Sequence, residues 1–349
     1  MLRFLLKRTR YSLLVLLGVV TLVFFLFNVL PGDPARLVMG QRSDIASVEN
    51  ARKEMNLDKP MFTRYMLYLN DISPIGIHGA DEKDKYDYIA LIPFGERRLA
   101  LKWPYLGRSY RTKKEVNATL AEALPGTVIL ALAAIALATV VGMFLGVVAA
   151  VKKNTWLDTS AIAASVAGIS MPSFFAGLII AYVFGYLLHG ITGLEMTGSL
   201  YEYDAFGGKR LALQNLILPA LALGIRPMAI ITQLTRSSVL DVLSQDYVRT
   251  AYAKGLSTTK VIWRHALPNA MNPVVTAVSG WLAELLAGSF FIEYIFGWKG
   301  IGKITVEALD NFDFPVVMGS VLFTACIFIV VNLLTDLLYS RLDPRVRLS

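Results

Sequence analysis

The sequence predicts an all-α polytopic membrane protein with about six transmembrane helices. Of its 349 residues, 55% are hydrophobic and only 17% are charged, and the mean hydropathy is +0.54. Soluble domains carry about a quarter charged residues, so this composition nearly excludes a soluble enzyme. Six stretches are apolar over the roughly 20 residues that a helix needs to cross a bilayer. They are Tyr11–Leu30, Gly126–Val151, Thr159–Leu188, Leu216–Leu234, Ala270–Phe291 and Pro315–Tyr339.

The first apolar stretch is expected to remain as an uncleaved transmembrane helix. A basic N-terminus precedes it, but its apolar part is longer than that of a signal peptide and no small-residue cleavage site follows. With the N-terminus in the cytoplasm, alternation puts Lys152, the basic segment 236–268 and the arginine-rich tail on the same side. This distribution agrees with the positive-inside rule. Both termini are therefore predicted to be cytoplasmic.

A polar segment, residues 31–123, separates the first two helices and is predicted to be extracytoplasmic. It divides the chain into an N-terminal part, 1–30, the segment itself, and a core, 124–349. A segment of this length is translocated whatever its charge. Residue patterns within it predict two short helices, a hairpin and a solvated charge run. These are Ser47–Met55 and Pro60–Leu69, Tyr88–Phe94 with Arg98–Trp103 about Gly95, and Asp81–Asp87.

Two of the apolar stretches carry local signals for helix shape and packing. The third stretch contains Pro172, which removes a backbone hydrogen bond and is expected to kink or break the helix beside Ser170. Gly142 and Gly146 form a GxxxG step in the second stretch. This step predicts close packing against another helix.

The sequence contains no convincing motif for catalysis, nucleotide binding or metal binding. The segment Gly297–Lys303 has the glycine and lysine spacing of a phosphate-binding loop, but Ile304 stands where Mg²⁺ ligation needs Ser or Thr. The three histidines lie on different loops. The single cysteine, Cys326, excludes an internal disulfide or a cysteine-based zinc site. No metal, cofactor or nucleotide site is therefore predicted on this chain, and its net charge of +8 is assigned to membrane-flanking loops rather than to nucleic-acid binding.

The most informative stretch is the polar loop 241–268, between the fourth and fifth apolar stretches. Tyr247–Lys254 favours a helix, and Gly255 can end it in the left-handed region. Ser257 is expected to begin a second helix, Thr258–Leu267, that ends before Pro268. The residues alone leave two interpretations open: a compact protrusion that contacts a partner, or an amphipathic loop that rests on lipid headgroups.

This loop resembles the EAA loop of bacterial ABC-transporter permeases, in which a short coupling helix docks into a groove of the ATPase subunit. The sequence Arg249-Thr250-Ala251 stands where the pattern has Glu-Ala-Ala, Gly255 matches its glycine, and Leu267-Pro268 its ending. Arg-Thr in place of Glu-Ala is usual in the peptide branch of the family. The resemblance assigns ATPase coupling to ten residues, with Ala251 and Gly255 permitting close approach. They are Asp246, Tyr247, Arg249, Thr250, Ala251, Lys254, Gly255, Arg264, Leu267 and Pro268.

Further motifs in the same order along the chain are similar to those of B-type permeases of dipeptide, oligopeptide and nickel importers. They are Leu30–Pro34, Asn56–Pro60 with Tyr65, Leu106–Tyr110, Ser170–Phe174, Glu293–Phe296 with Gly300 and Gly302, Asp313–Val317, Asp336–Tyr339 and Asp343–Arg345. The stretch Pro74–Pro104 is longer than the usual family segment.

The resemblance implies the type I ABC importer (MetI-like) permease fold in the bacterial cytoplasmic (inner) membrane. It implies two cytoplasmic ATPase subunits that bind ATP and Mg²⁺, a paralogous second permease and an extracytoplasmic solute-binding protein. The cargo would be a peptide or a related small solute such as a nickel complex or glutathione. ATP hydrolysis would occur on the partners, so this chain is expected not to be an enzyme.

Ionisable residues at membrane depth are costly and tend to face a bundle interior or an aqueous cavity. By that criterion Glu284, Glu293 and Arg226 are candidates for the translocation pathway, and Asp336 also lies within an apolar stretch. Glu284 is outside the family pattern, so it could bind a substrate amine or, alternatively, pair within the bundle.

Two other classes of function compete with the ATP-driven importer. A stand-alone secondary transporter or channel would be expected to show inverted repeats and paired interrupted helices. The sequence has one proline-broken helix and no convincing repeat. A polytopic membrane enzyme would need catalytic groups that the sequence does not present.

Overall fold

The computed structural model describes residues 2–29, 45–79, 88–95, 97–203, 208–287 and 289–342. Three sequence features lie outside these described residues: the Leu30–Pro34 motif, the Asp81–Asp87 charge run and the Asp343–Arg345 motif. The chain divides into two compact units. One comprises Met1–Leu6, Leu124–Lys303 and Cys326–Ser349, and the other Lys7–Ala123 and Ile304–Ala325.

Helices dominate the described part of the chain. In order, they are α1 Leu2–Val29, α2 Ile45–Glu54, α3 Met61–Ile72, α4 Val116–Val151, α5 Trp156–Ser170, α6 Ser173–Ile180, α7 His189–Thr192, α8 Ile217–Leu243, α9 Asp246–Ala253, α10 Thr258–Val261, α11 Leu267–Ala287, α12 Phe290–Ile295, α13 Ile301–Asp310 and α14 Phe314–Leu342. The strands are β1 Ile75–Gly79, β2 Tyr88–Phe94, β3 Arg97–Lys102, β4 Tyr201–Tyr203 and β5 Lys209–Leu211. Short π-helical segments, Ala181–Leu187 and Ile262–Ala266, follow α6 and α10, and a 3₁₀ turn, Leu213–Leu216, precedes α8.

Five helical runs in the described residues are long and apolar enough to cross a membrane. They are Arg8–Asn28, Val116–Val151, Leu213–Leu243, Thr258–Ala287 and Phe314–Leu337. A sixth crossing is available if α5 and the run Ser173–Leu187, which are bent by 110° relative to each other, count as one span. In the described residues, each of the six predicted apolar stretches is thus mainly helical. The third is broken before Pro172, the fifth runs past the end of α11 at Ala287, and α4 begins ten residues before the predicted start of the second.

The break between α5 and α6 occurs where Pro172 predicts it. Ser170 is the last residue of α5, and Met171 has extended dihedral angles, φ −77° and ψ 127°. Pro172 immediately precedes α6. Proline disfavours helical dihedral angles in the residue before it, so α5 ends there.

Helix α8 lies at the centre of the Leu124–Lys303 unit. It packs against α5, α6 and α11, and its buried face includes the small residues Ala220, Ala222 and Ala229. The predicted GxxxG packing is confirmed on α4. A Cβ atom on Gly142 would lie 2.8 Å from the Met228 carbonyl oxygen, and one on Gly146 would lie 2.6 Å from that of Thr232.

The second unit contains α1, α2, α3 and a three-stranded antiparallel sheet in the order β1-β3-β2. Both predicted short helices and the predicted hairpin are present, as α2, α3 and the β2–β3 pair. Strand β1 adds a third strand that the sequence did not indicate, with Ile77 opposite Leu99. In the same unit, the Asp313 carboxylate accepts hydrogen bonds from the Ser109 hydroxyl at 2.5 Å and the Tyr110 amide at 3.0 Å.

Candidate functional site

The 241–268 loop has two helical arms, and its first arm is the amphipathic helix α9. Val248 and Ala251, three residues apart, are buried on one face and pack with Val261. Ala251 therefore contributes to the packing of the loop itself and does not lie on its surface. The remaining predicted residues of this arm are exposed: Asp246, Tyr247, Arg249, Thr250, Lys254 and Gly255.

Gly255 makes the turn that ends α9, as its residue type predicts. Its φ is +77°, in the left-handed region where residues with a Cβ atom are strained. A Cβ atom placed there would meet no other atom within 4 Å. Within this chain, a side chain at position 255 would therefore be limited by backbone conformation and not by crowding.

The second arm differs from the prediction, because it does not end before Pro268. Ser257 precedes α10 in an extended conformation, but its side chain makes no capping hydrogen bond. From Thr258 the chain is helical without interruption to Ala287. A proline within a helix removes an N–H and crowds the carbonyl four residues earlier. The wider π-helical segment Ile262–Ala266, which ends two residues before Pro268, accommodates this change. The predicted helix end is therefore wrong.

The outer surface of the loop combines aromatic and basic side chains. Tyr247 is 45% exposed, Tyr252 is 41% exposed and Trp263 is 62% exposed. Arg264 and Pro268 are also exposed, whereas Leu267 is buried against the neighbouring helices. The sequence analysis did not single out Tyr252 and Trp263. Tyr252 directly follows the buried Ala251, so its position on α9 lies outside the buried face.

An ion pair that sequence reasoning missed joins α5 to α8. The Arg236 guanidinium donates from Nε to Asp158 Oδ1 at 2.5 Å and from Nη2 to Oδ2 at 2.8 Å. The Asn154 amide donates to the same carboxylate at 3.0 Å. Asp158 is buried. Because 78 residues separate the two partners, no local pattern indicates this pair.

Glu293 occupies a closed site. Its side chain is fully buried, and its Oε1 accepts hydrogen bonds from the hydroxyls of Ser289 at 2.6 Å and Thr127 at 2.8 Å. Its Oε2 accepts the amides of Gly302 at 2.7 Å and Lys303 at 3.2 Å, in the first turn of α13. Burial raises the pKa of this carboxyl, and the four donors act in the opposite direction.

The closed site leaves no room for larger residues around the carboxylate. A Cβ atom on Gly302 would lie 2.5 Å from the Phe290 Cα atom and 2.9 Å from Glu293 Oε2. The Thr127 hydroxyl also accepts the Ile301 amide at 2.9 Å. Glu293 therefore ties α4, α12 and the start of α13 together, and its carboxylate is occupied by these contacts.

The other two predicted pathway residues lie apart from this closed site. Glu284, on α11, and Arg226, on α8, are exposed in the chain. The Arg226 guanidinium lies 6.0 Å from the centre of the Trp281 ring, also on α11. Among the described residues, no group of three or more His, Cys, Asp or Glu side chains could hold a metal ion.

Comparison with known proteins decides the family. The family described as binding-protein-dependent transport system inner membrane component matches residues 142–348, and the model of its N-terminal part matches residues 1–131. The chain belongs to this family. The predicted resemblance and the type I importer permease fold are thus confirmed, and the permease is a multi-pass membrane protein.

Several named proteins resemble this permease over nearly their whole length. The dipeptide transport system permease protein DppB of Haemophilus influenzae is 37% identical and covers 99% of this chain and 100% of the relative. The di/tripeptide permease DppB of Pseudomonas aeruginosa is 36% identical, covering 99% of both chains. A chain of the MetNI methionine ABC transporter in an inward-facing conformation superposes with a TM-score of 0.49 at 14% identity, over 65% of this permease and 97% of that chain. The named relatives are transport permeases.

Proposed function

We propose that this permease is one membrane-spanning subunit of an ATP-driven importer that carries dipeptides or a related small solute into the cell. The observation that carries the proposal is the 241–268 loop, whose exposed aromatic and basic helix α9 packs directly on a helical run that crosses the membrane. The dipeptide and di/tripeptide relatives support a peptide cargo.

The proposed assembly contains three kinds of protein partner besides this chain, and the lipid bilayer of the inner membrane surrounds its membrane-spanning part. Two cytoplasmic ATPase subunits would bind ATP and Mg²⁺, a paralogous permease would complete the pathway, and a solute-binding protein would deliver the cargo from outside. Both termini and the 241–268 loop would face the cytoplasm. In this proposal the chain itself holds no nucleotide or cofactor, and nucleic acid takes no part.

Transmission through the loop follows from its packing. Val248 and Ala251 hold α9 against Val261, which lies in the first turns of the continuous run Thr258–Ala287. A displacement of α9 by closing ATPases would therefore move this spanning helix as well, which is how a two-state element responds to a distant event. Arg249 and Lys254 would pair with acidic groups of the ATPase, although such rim pairs are individually weak.

The test of the coupling role is Gly255→Asp. We expect the variant to insert normally but to lose solute uptake and stimulated ATP hydrolysis, because a charged side chain would stand at the apex of the docking surface. Gly193→Asp is the matched control, since Gly193 also has a positive φ, +64°, a Cβ atom there also meets nothing within 4 Å, and Gly193 lies outside the loop. Normal uptake by Gly255→Asp would refute the coupling assignment.

Reconstitution in vesicles distinguishes the ATP-driven importer from a stand-alone secondary transporter or channel. We expect this permease alone in vesicles to accumulate no dipeptide, and accumulation to require the co-purifying ATPases and second permease. Concentration of dipeptide by the lone chain would favour a secondary transporter, and passive equilibration would favour a channel. Either result would overturn the importer proposal.

The solute pathway is proposed to include Glu284 and Arg226 but not Glu293. The exposure of the first two in the single chain suits residues that face a shared cavity, whereas all four hydrogen bonds to Glu293 come from within the fold. We expect Glu284→Gln to change the relative uptake of dipeptides with different charge. Unchanged selectivity would remove Glu284 from the pathway.

A further inference from the structure

Helix α3 packs on the outer part of α1, although its sequence lies in the polar segment. The Tyr65 hydroxyl is hydrogen-bonded to that of Thr21 at 2.6 Å. The Phe24 ring lies 5.1 Å from the Tyr65 ring and 5.6 Å from the Tyr68 ring, measured between centres. One turn of α3 therefore contacts one turn of α1.

The depth of this contact follows from the apolar span of α1, which ends at Asn28. Thr21 lies seven residues before that end, or about 10 Å along the helix axis at ~1.5 Å per residue. The Arg64 guanidinium donates a hydrogen bond to the Asn28 side chain. Helix α3 thus lies at the level of the C-terminal end of the apolar span, and the Tyr65 side chain reaches from there to Thr21, within the span.

The apolar surface of α1 continues onto α3. Leu22 is 65% exposed and Phe25 is 42% exposed, and the Phe25 ring lies 5.9 Å from that of Tyr65. Beside Tyr65 on α3, Phe62 is 71% exposed and Met66 is 43% exposed. Phe62 and Met66 are four residues apart and share one flank of the helix. We call these two residues the α3 flank.

The last turn of α3 is polar and supports the sheet. The Asn70 side chain accepts the Ile77 amide at 2.8 Å and donates to the Ile77 carbonyl at 3.2 Å. The Lys102 ammonium donates to the Asp71 carbonyl. The first two turns of α3 therefore continue the apolar surface of α1, and its last turn binds the sheet formed by β1, β2 and β3.

We propose that α3 is an interfacial helix, with the α3 flank embedded among lipid acyl chains in the leaflet at the C-terminal end of α1. Amphipathic helices at this position bury their apolar face about 5–10 Å into the bilayer, and tyrosines are enriched at the same level. The sheet is then held at the membrane surface by a lipid-anchored helix. This role is independent of the cargo and of the coupling loop.

The test measures which medium surrounds each side of α3. Single cysteines replace Phe62, Met66 or Thr63 in a Cys326→Ser background, and a nitroxide is attached to each. Thr63 is exposed like Phe62 but lies about 100° from Phe62 and about 60° from Met66 around the helix, so it is the control beside the flank. The full-length permease is placed in nanodiscs of phosphatidylethanolamine and phosphatidylglycerol, and collision rates with oxygen and with a water-soluble nickel chelate are measured.

We expect oxygen collisions to exceed nickel collisions several-fold at positions 62 and 66, and the ratio to reverse at position 63. Two independent positions on the flank keep the test valid if one substitution disturbs the fold. Equal nickel accessibility at 62 and 63 would place α3 in water and overturn the proposal. A label at 62 shielded from both reagents would show that protein covers the flank, which would also overturn it.

Discussion

Replacing Thr127 with valine tests whether the closed Glu293 site holds α4, α12 and the start of α13 together. Valine keeps the shape of threonine but removes the hydroxyl, which donates to Glu293 Oε1 at 2.8 Å and accepts the Ile301 amide at 2.9 Å. Loss of a hydrogen bond to a charged group costs about 1.5–3 kcal/mol, and a buried amide without a partner costs about 1–3 kcal/mol. We expect the free energy of unfolding to fall by about 3–5 kcal/mol.

The assay is unfolding of the purified permease by dodecyl sulfate in mixed micelles, followed by circular dichroism. Thr127→Ser is the control, because it keeps the hydroxyl and loses only a methyl group, at a cost of about 1 kcal/mol. Glu293→Gln perturbs the other partner of the same hydrogen bond and should also lower the stability, because its amide NH₂ group would face hydrogen-bond donors. Equal stability of Thr127→Val and Thr127→Ser would refute the reasoning, because the hydroxyl would then contribute nothing.

Three further predictions concern other contacts. Arg236→Met leaves the buried Asp158 carboxylate unpaired and should lower the free energy of unfolding by about 3–5 kcal/mol. Adding Asp158→Asn should restore part of the lost stability, and a double variant as unstable as Arg236→Met would contradict a direct pairing. Gly146→Ala should lower the free energy of unfolding by about 1–3 kcal/mol, because its methyl group would meet α8 at 2.6 Å. Gly280→Ala has open space around it and should leave that free energy unchanged. Burial raises the pKa of Tyr110 to about 12, so the unfolded chain ionises first and stability should fall as pH rises from about 10 to about 12. In pH-dependent unfolding, Tyr110→Phe should reduce this fall without removing it, because burial also raises the pKa values of Tyr68 and Tyr105.

Features that depend on neighbouring residues could be predicted from the sequence. The length of each apolar stretch indicated the membrane-crossing helices because hydrocarbon thickness sets a minimum helix length. Pro172 and Gly255 each marked a change of backbone direction, since their dihedral restrictions act locally. Gly142 and Gly146 indicated a close helix contact without indicating that α8 is the partner.

Other features could not be predicted because their partners are distant in the chain. Thr127 and Glu293 are 166 residues apart, and only the fold shows that the carboxylate is already occupied. Strand β1 has weak local signals and forms because β3 offers it an edge. Pro268 misled the local argument, since a proline usually ends a helix and here a π-helical segment accommodates it.

The sequence by itself determined that this chain is a membrane protein and that its polar loop 241–268 has two helical arms joined at Gly255. Both features could be predicted because the length of an apolar stretch and the backbone restriction of a residue are properties of short segments. Only the tertiary structure decided which side of each arm is buried, that the second arm is continuous with a spanning helix, and that Glu293 is enclosed. Those outcomes depend on which distant surfaces meet, and burial and hydrogen bonding between them are set by the folded chain as a whole.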